Sequence, residues 1–226
     1  MPKLGALHVI KPTGIVHNAS VIFLHGSGDT GKGVLEWVKF LKKNFGFPHI
    51  KLLFPTAPKQ PYTFIGGESS TVWFDRYKLS PDVPEHDESI NAIKDDIKKI
   101  VDEEIKQGIS LNRIIIGGFS MGGALSLHMA YRFLPGLAGT FALSSFLGKE
   151  SEVYKNIKSI QTPLFMCHGD RDDMVPLKWG KSTFDHLTHL GVKGEFMELA
   201  NTYHELKTSE IDRLQSWIEK LLPQEI

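Results

Sequence analysis

The chain has 226 residues, 41% hydrophobic and 23% charged, enough for one sizeable core in a single domain spanning residues 1–226. Lys plus Arg and Asp plus Glu each number 26, so the net charge is zero, and no basic run supplies the electrostatic footprint of a nucleic-acid binder. Cys167 is the single cysteine, which excludes an intramolecular disulfide and suits a reducing compartment.

In chain order, the N-terminal Met1-Pro2-Lys3-Leu4-Gly5 has no signal-peptide core and no glycine at position 2 for myristoylation. The C-terminus lacks a prenylation box, and no apolar stretch reaches transmembrane length. The expectation is a cytoplasmic chain without a lipid anchor. Short apolar runs at 21–24, 51–54, 113–117, 139–143, 163–167 and 195–199 alternate with amphipathic segments. Most are almost continuously apolar, as strands of a parallel sheet covered on both faces must be. Helices are expected near 35–45, 121–133, 178–190 and 209–222. The clearest carries Ile90, Ile93, Ile97, Ile100, Val101 and Ile105 on one stripe, with Pro84 near its start and Gly108 just past its end. The alternation predicts an α/β fold: a mostly parallel central sheet with helices on both faces. From Pro55 to Pro84 the rhythm breaks for about thirty residues, which in a compact domain marks a functional or mobile loop. Its aromatics, Tyr62, Phe64, Trp73 and Phe74, either anchor the loop to the core or line a substrate groove at the C-terminal edge of the sheet.

The most informative stretch is Gly118-Phe119-Ser120-Met121-Gly122, which follows the apolar run Ile114-Ile115-Ile116. It reads as a nucleophile elbow: a strand, a tight turn with serine at its tip, then a helix. Glycines flank the serine because the strained turn leaves no room for side chains there. A serine hydroxyl stays protonated at neutral pH, so it needs a base, and the base needs an orienting carboxylate. In α/β-hydrolases these follow the serine in the order acid, then histidine. The segment after the run at 163–167 offers Asp170, Asp172 and Asp173, of which Asp172 is chosen. His-Gly-x-x-Asp-x-x-Val, from His168 to Val175, has the form of an acid loop, with Val175 packing inward. His204, between the run at 195–199 and the last helix, is the candidate base. His25 and His168 also follow strands but do not lie after the acid, and read as ordinary core histidines. An oxyanion hole completes the set. The backbone N–H of Met121 is one candidate donor, and that of Ser27, in Phe23-Leu24-His25-Gly26-Ser27-Gly28-Asp29, is the other. A phosphate-loop reading of the same turn fails because Gly33 follows Lys32 where a hydroxyl residue is required. His204-Glu205 lacks the second histidine of a zincin helix, Thr208 standing in its place, so no metal site and no cofactor are expected.

Together with Pro55-Thr56-Ala57-Pro58, Trp73-Phe74-Asp75, Ala142-Leu143-Ser144 and Tyr203-His204, these residues resemble the acyl-protein thioesterase/lysophospholipase-like carboxylesterase family over nearly the whole chain. The resemblance implies a small α/β-hydrolase without a lid that cleaves acyl esters or thioesters, as a monomer or weak homodimer. It implies Ser120, Asp172 and His204 as the triad, Ser27 and Met121 as oxyanion donors, and Trp73, Phe146 and Met174 as substrate-lining residues. Two positions depart from members that remove palmitate from proteins. Ser27 replaces a large apolar residue and Met121 a glutamine, both closer to the lysophospholipase-like branch. Short-chain esters, S-acylated proteins and lysophospholipids are therefore all candidate substrates. Independently of the resemblance, only about twenty residues separate Leu143 from Pro163, too few for a cap domain of ordinary size. A binding module on the same fold is the alternative of another class; it predicts a decayed triad.

Overall fold

The computed structural model describes residues 3–158 and 160–224. Met1 and Pro2, read above for lipidation, lie outside them, as do the last two positions. Among the described residues the strands are β1 (Leu7–Ile10), β2 (Ala19–Leu24), β3 (Ile50–Pro55), β4 (Lys59–Tyr62), β5 (Glu68–Thr71), β6 (Ile114–Phe119), β7 (Gly139–Leu143), β8 (Leu164–Gly169) and β9 (Gly194–Leu199). The α-helices are α1 (Gly31–Leu41), α2 (Asp87–Lys106), α3 (Met121–His128), α4 (Glu152–Lys155), α5 (Leu177–His189) and α6 (Thr208–Leu221).

The main sheet runs β1-β3-β2-β6-β7-β8-β9, parallel throughout except for the antiparallel edge strand β1. Successive strand residues point to opposite faces, so each apolar run feeds two cores. Ile22, Leu24, Ile114, Ile116 and Met166 face the core covered by α2, α3 and α5. Val21, Phe23, Ile115, Phe165 and Cys167 face the core covered by α1 and α6. This double burial is why the strands read as apolar without alternation. It also bears out the mostly parallel, doubly covered sheet expected from the alternation of elements.

Several elements differ from the sequence reading. The edge strand β1 escapes it because its residues alternate between exposed and half-buried. Helix α1 starts four residues before the expected boundary, where the Thr30 hydroxyl accepts the Gly33 N–H at 3.0 Å and offsets the poor helix propensity of Gly31 and Gly33. The expected loop from Pro55 to Pro84 contains a polar hairpin, β4 against β5. Its strands carry Pro61 and several hydroxyl residues, so neither hydrophobicity nor period marks them. Helix α3 passes at Met129–Phe133 into a π-helical turn, and together they fill the predicted 121–133 segment.

Sheet order positions the site. β2 leads by α1 to β3 on one side, while β6 leads to β7, β8 and β9 on the other. The winding reverses between β2 and β6, and crevices of open α/β sheets form at such a reversal, outside the C-terminal strand ends. The parallel register pairs Leu24 with Gly118, so the turn after β2 and the turn after β6 stand side by side.

Candidate active site

Ser120 occupies the turn between β6 and α3 with φ 53 and ψ −118, a conformation that costs a side-chain-bearing residue about 1–3 kcal/mol. Surrounding bonds hold it there. Its N–H donates to the Leu143 carbonyl at 2.8 Å, and its carbonyl accepts from Ala124 N–H at 3.1 Å and from Ser145 Oγ at 2.7 Å. Glycine at 118 and 122 is a steric requirement: a Cβ at either would stand 2.5 or 2.2 Å from the Leu24 carbonyl oxygen.

His204 belongs to the loop after β9, two strands beyond the neighbour of β6, so that loop must fold back over the end of β8. It does so through Asn201, at φ 53, and by laying the Thr202 carbonyl on Gly169. A Cβ at 169 would come within 2.2 Å of that oxygen. Arg171 N–H donates to the Thr202 carbonyl at 3.0 Å, and Asp170 Oδ1 accepts the Thr202 N–H at 3.2 Å. Asp170 therefore ties the acid loop to the histidine loop.

Asp172 is buried, and each of its oxygens has a distinct task. Oδ1 accepts from the N–H groups of Met174 and Val175, at 3.1 and 2.7 Å. Oδ2 lies 2.7 Å from His204 Nδ1 and 3.4 Å from His168 Nε2. Burial alone would raise the pKa of this carboxyl, but the hydrogen bonds from His168, His204 and Val175 hold it well below the usual carboxylate range. An ionised carboxylate only accepts, so His204 Nδ1 carries the proton. That leaves His204 Nε2 free to accept the Ser120 hydroxyl, 3.0 Å away. Phe119 packs against the His204 imidazole, with ring centroids 4.8 Å apart.

Across the crevice, a Cβ placed on Gly26 would stand 3.5 Å from that of Ser120. His25 holds this turn. Its Nε2 accepts the Ala57 N–H at 2.9 Å, so the proton sits on Nδ1, which donates to the Gly26 carbonyl at 2.6 Å. Burial pulls the His25 pKa below its ordinary value, and the imidazole stays neutral. In a trans peptide the carbonyl of Gly26 and the N–H of Ser27 point in opposite directions. Anchoring the one away from the crevice aims the other toward it. No acceptor among the described residues takes up the N–H of Ser27 or of Met121.

The expected lining residues separate. Met174 is 54% exposed beside Asp172, at the surface of the site. Trp73 is fully buried, donates Nε1–H to the His25 carbonyl at 2.7 Å and packs on the His25 ring. It braces the turn from within the core. Phe146 is likewise buried, against Trp179 and the Arg76 guanidinium. Of the loop aromatics, Tyr62, Trp73 and Phe74 anchor to the core, and Phe64 is exposed. The sequence reading missed His25, His168 and Asp170. Their only signal was position: His25 and Asp170 directly follow strands that end at the crevice, and His168 is the last residue but one of β8.

A strained serine between β6 and α3, a histidine bridging it to a buried carboxylate and two unspent amides define a serine hydrolase of the α/β-hydrolase fold. Comparison with known proteins narrows the class. The phospholipase/carboxylesterase family model matches residues 5–222, and the chain belongs to that family. It is 49% identical over 221 residues to the mouse (Mus musculus) lysophospholipase-like protein 1, covering 96% of this chain and 92% of the relative. It is 41% identical over 213 residues to acyl-protein thioesterase 1 homolog 1 of Dictyostelium discoideum, covering 92% of each. Among solved structures, acyl-protein thioesterase 2 of Zea mays superposes with a TM-score of 0.79 at 29% identity, covering 96% of this chain and 99% of that one. SOBER1 of Arabidopsis thaliana superposes with a TM-score of 0.80 at 27% identity, covering 91% and 99%.

Proposed function

We propose that the protein hydrolyses short acyl esters and thioesters through Ser120, His204 and Asp172. The observation that carries the reading is the single relay in which His204 accepts from Ser120 and donates to Asp172. In this mechanism His204 Nε2 takes the hydroxyl proton as Ser120 Oγ attacks the acyl carbonyl. Asp172 keeps the imidazole in the required tautomer and stabilises the imidazolium that forms. The N–H groups of Ser27 and Met121 receive the oxyanion. The tetrahedral intermediate expels the alcohol or thiol, protonated by His204, and leaves an acyl-serine. Water, deprotonated by His204, attacks it and releases the acid.

The thioester half of the reading rests on the acyl-protein thioesterase relatives. The preference for short chains is supported by Phe146, which directly follows Ser145 and is packed against Trp179 and Arg76 as a buried ring. A cytoplasmic location fits a chain whose single cysteine is buried and reduced. Among the described residues, no helix is long and apolar enough to cross a membrane. The test is hydrolysis of 4-nitrophenyl esters and acyl thioesters from two to sixteen carbons, together with labelling by a fluorophosphonate. The expected result is activity that peaks at short chains and vanishes, with the labelling, in Ser120→Ala. Turnover retained by a homogeneous, folded Ser120→Ala protein would overturn the assignment.

A further inference from the structure

Arg76 follows Trp73-Phe74-Asp75 on the segment between β5 and α2, and its guanidinium is held between two aromatic faces. Its central carbon lies 5.1 Å from the Phe74 ring centroid and 4.9 Å from that of Phe146. Desolvation is the largest influence on it, lowering its pKa, with Tyr62 and Glu85 opposing. A guanidinium carries five N–H donors, yet none finds an acceptor among the described residues. Glu85, the one carboxylate that acts on it electrostatically, is committed elsewhere. It accepts from Gly148 N–H at 3.0 Å and Ser151 Oγ at 2.7 Å, and faces His128 Nε2 at 3.1 Å. Arg76 is half-buried, and a partly desolvated cation with unspent donors gains when a charged partner arrives.

One chain of contact ties this cation to the reaction centre. Phe146, under the guanidinium, directly follows Ser145, whose hydroxyl holds the Ser120 carbonyl.

We propose that Arg76 is a specificity-determining residue that binds a carboxylate carried by the substrate, so that the enzyme favours short acyl compounds bearing a negative charge. The proposal rests on the serine-hydrolase reading above and adds the charge of the substrate to it. Arg is suited to the task because its planar fork matches a carboxylate in two parallel hydrogen bonds.

The test uses two matched pairs of esters. 4-Nitrophenyl hemisuccinate against 4-nitrophenyl butyrate places the carboxylate on the acyl side. 4-Acetoxybenzoate against phenyl acetate places it on the leaving side. Each rate is corrected with the Ser120→Ala protein and divided by the hydroxide-catalysed rate of the same ester. The wild type is expected to favour one anionic ester over its neutral partner. Arg76→Met should lower kcat/KM for that ester about 10- to 100-fold, the range for a lost hydrogen-bonded charge, while its neutral partner stays near wild type. Arg76→Lys should restore part of the preference, since it keeps the charge but not the fork. The pair that responds identifies the side on which the carboxylate sits. Equal losses on anionic and neutral esters, or no preference in the wild type, would overturn the proposal. The wild-type comparison decides even if Arg76→Met fails to fold. Because the neutral esters report the Ser120 reaction by themselves, failure of this proposal is distinguishable from failure of the hydrolase assignment.

Discussion

His25→Leu separates positioning from packing at this site. The substitution removes the Nδ1–H bond to the Gly26 carbonyl and the acceptor for Ala57 N–H, and keeps an apolar body against Trp73. The Ala57 N–H is left buried without a partner, at about 1–3 kcal/mol. Gly26 keeps a second donor, Asp29 N–H at 3.3 Å, so its loss is about 1 kcal/mol. The fold should therefore lose roughly 2–4 kcal/mol, measurable by urea unfolding. The effect on catalysis follows from the peptide plane. With its carbonyl loosened, the Gly26–Ser27 unit can rotate and carry the Ser27 N–H off the oxyanion. Losing such a donor outright costs about 10²–10³ in kcat, so a loosened one should cost about 10–10² with KM little changed. Rates are expressed per fluorophosphonate-reactive site, so that unfolded protein does not count. The sign of the pH effect gives a second check. Folded His25 has its pKa below the ordinary value, whereas the unfolded chain protonates near 6.5. Its stabilising contribution is thus present above about pH 6.5 and is lost as the pH falls below it; the variant should lack that part of the acid sensitivity. A His25→Leu protein with wild-type kcat per reactive site would refute the reasoning and leave the imidazole a packing role alone.

Two further substitutions probe the residues on either side of the histidine loop. Asp172→Asn should lower kcat by about 10³–10⁴, because an amide can donate to Nδ1 and stabilise the wrong tautomer; a drop under tenfold in steady-state ester hydrolysis would contradict the role given to the carboxylate. Glu210, buried at the start of α6, accepts the Lys207 N–H at 3.3 Å and lies against the Cys167 thiol. Burial pushes its carboxyl up to about 7. The folded state keeps the proton that the unfolded chain releases above about 4.3, so stability declines as pH rises to about 7, by about 3 kcal/mol. Glu210→Gln retains an acceptor for Lys207 and should abolish that decline; identical urea-unfolding slopes between pH 5 and 8 for the variant and the wild type would exclude it.

Much of this protein is legible in the order of its residues. Both faces of the sheet are buried, so strands such as Ile114-Ile115-Ile116 read as plain apolar runs, and the helix stripe from Ile90 to Val101 reads as its own cover. The elbow is legible because its strain is local: a serine at positive φ beside a neighbouring strand needs glycine at 118 and 122 whatever else the chain does. Ser120, Asp172 and His204 can be named from the strand each follows, since strand order dictates which loops end at the crevice. The tertiary structure decided what depends on partners far along the chain. It alone buried Trp73 behind His25, set His168 against Asp172 and Asp170 against Thr202, and wedged Arg76 between two phenylalanines 72 residues apart. A side chain's chemistry is written in its own residue, but its burial and its hydrogen-bond partners are set by segments that meet only when the sheet closes.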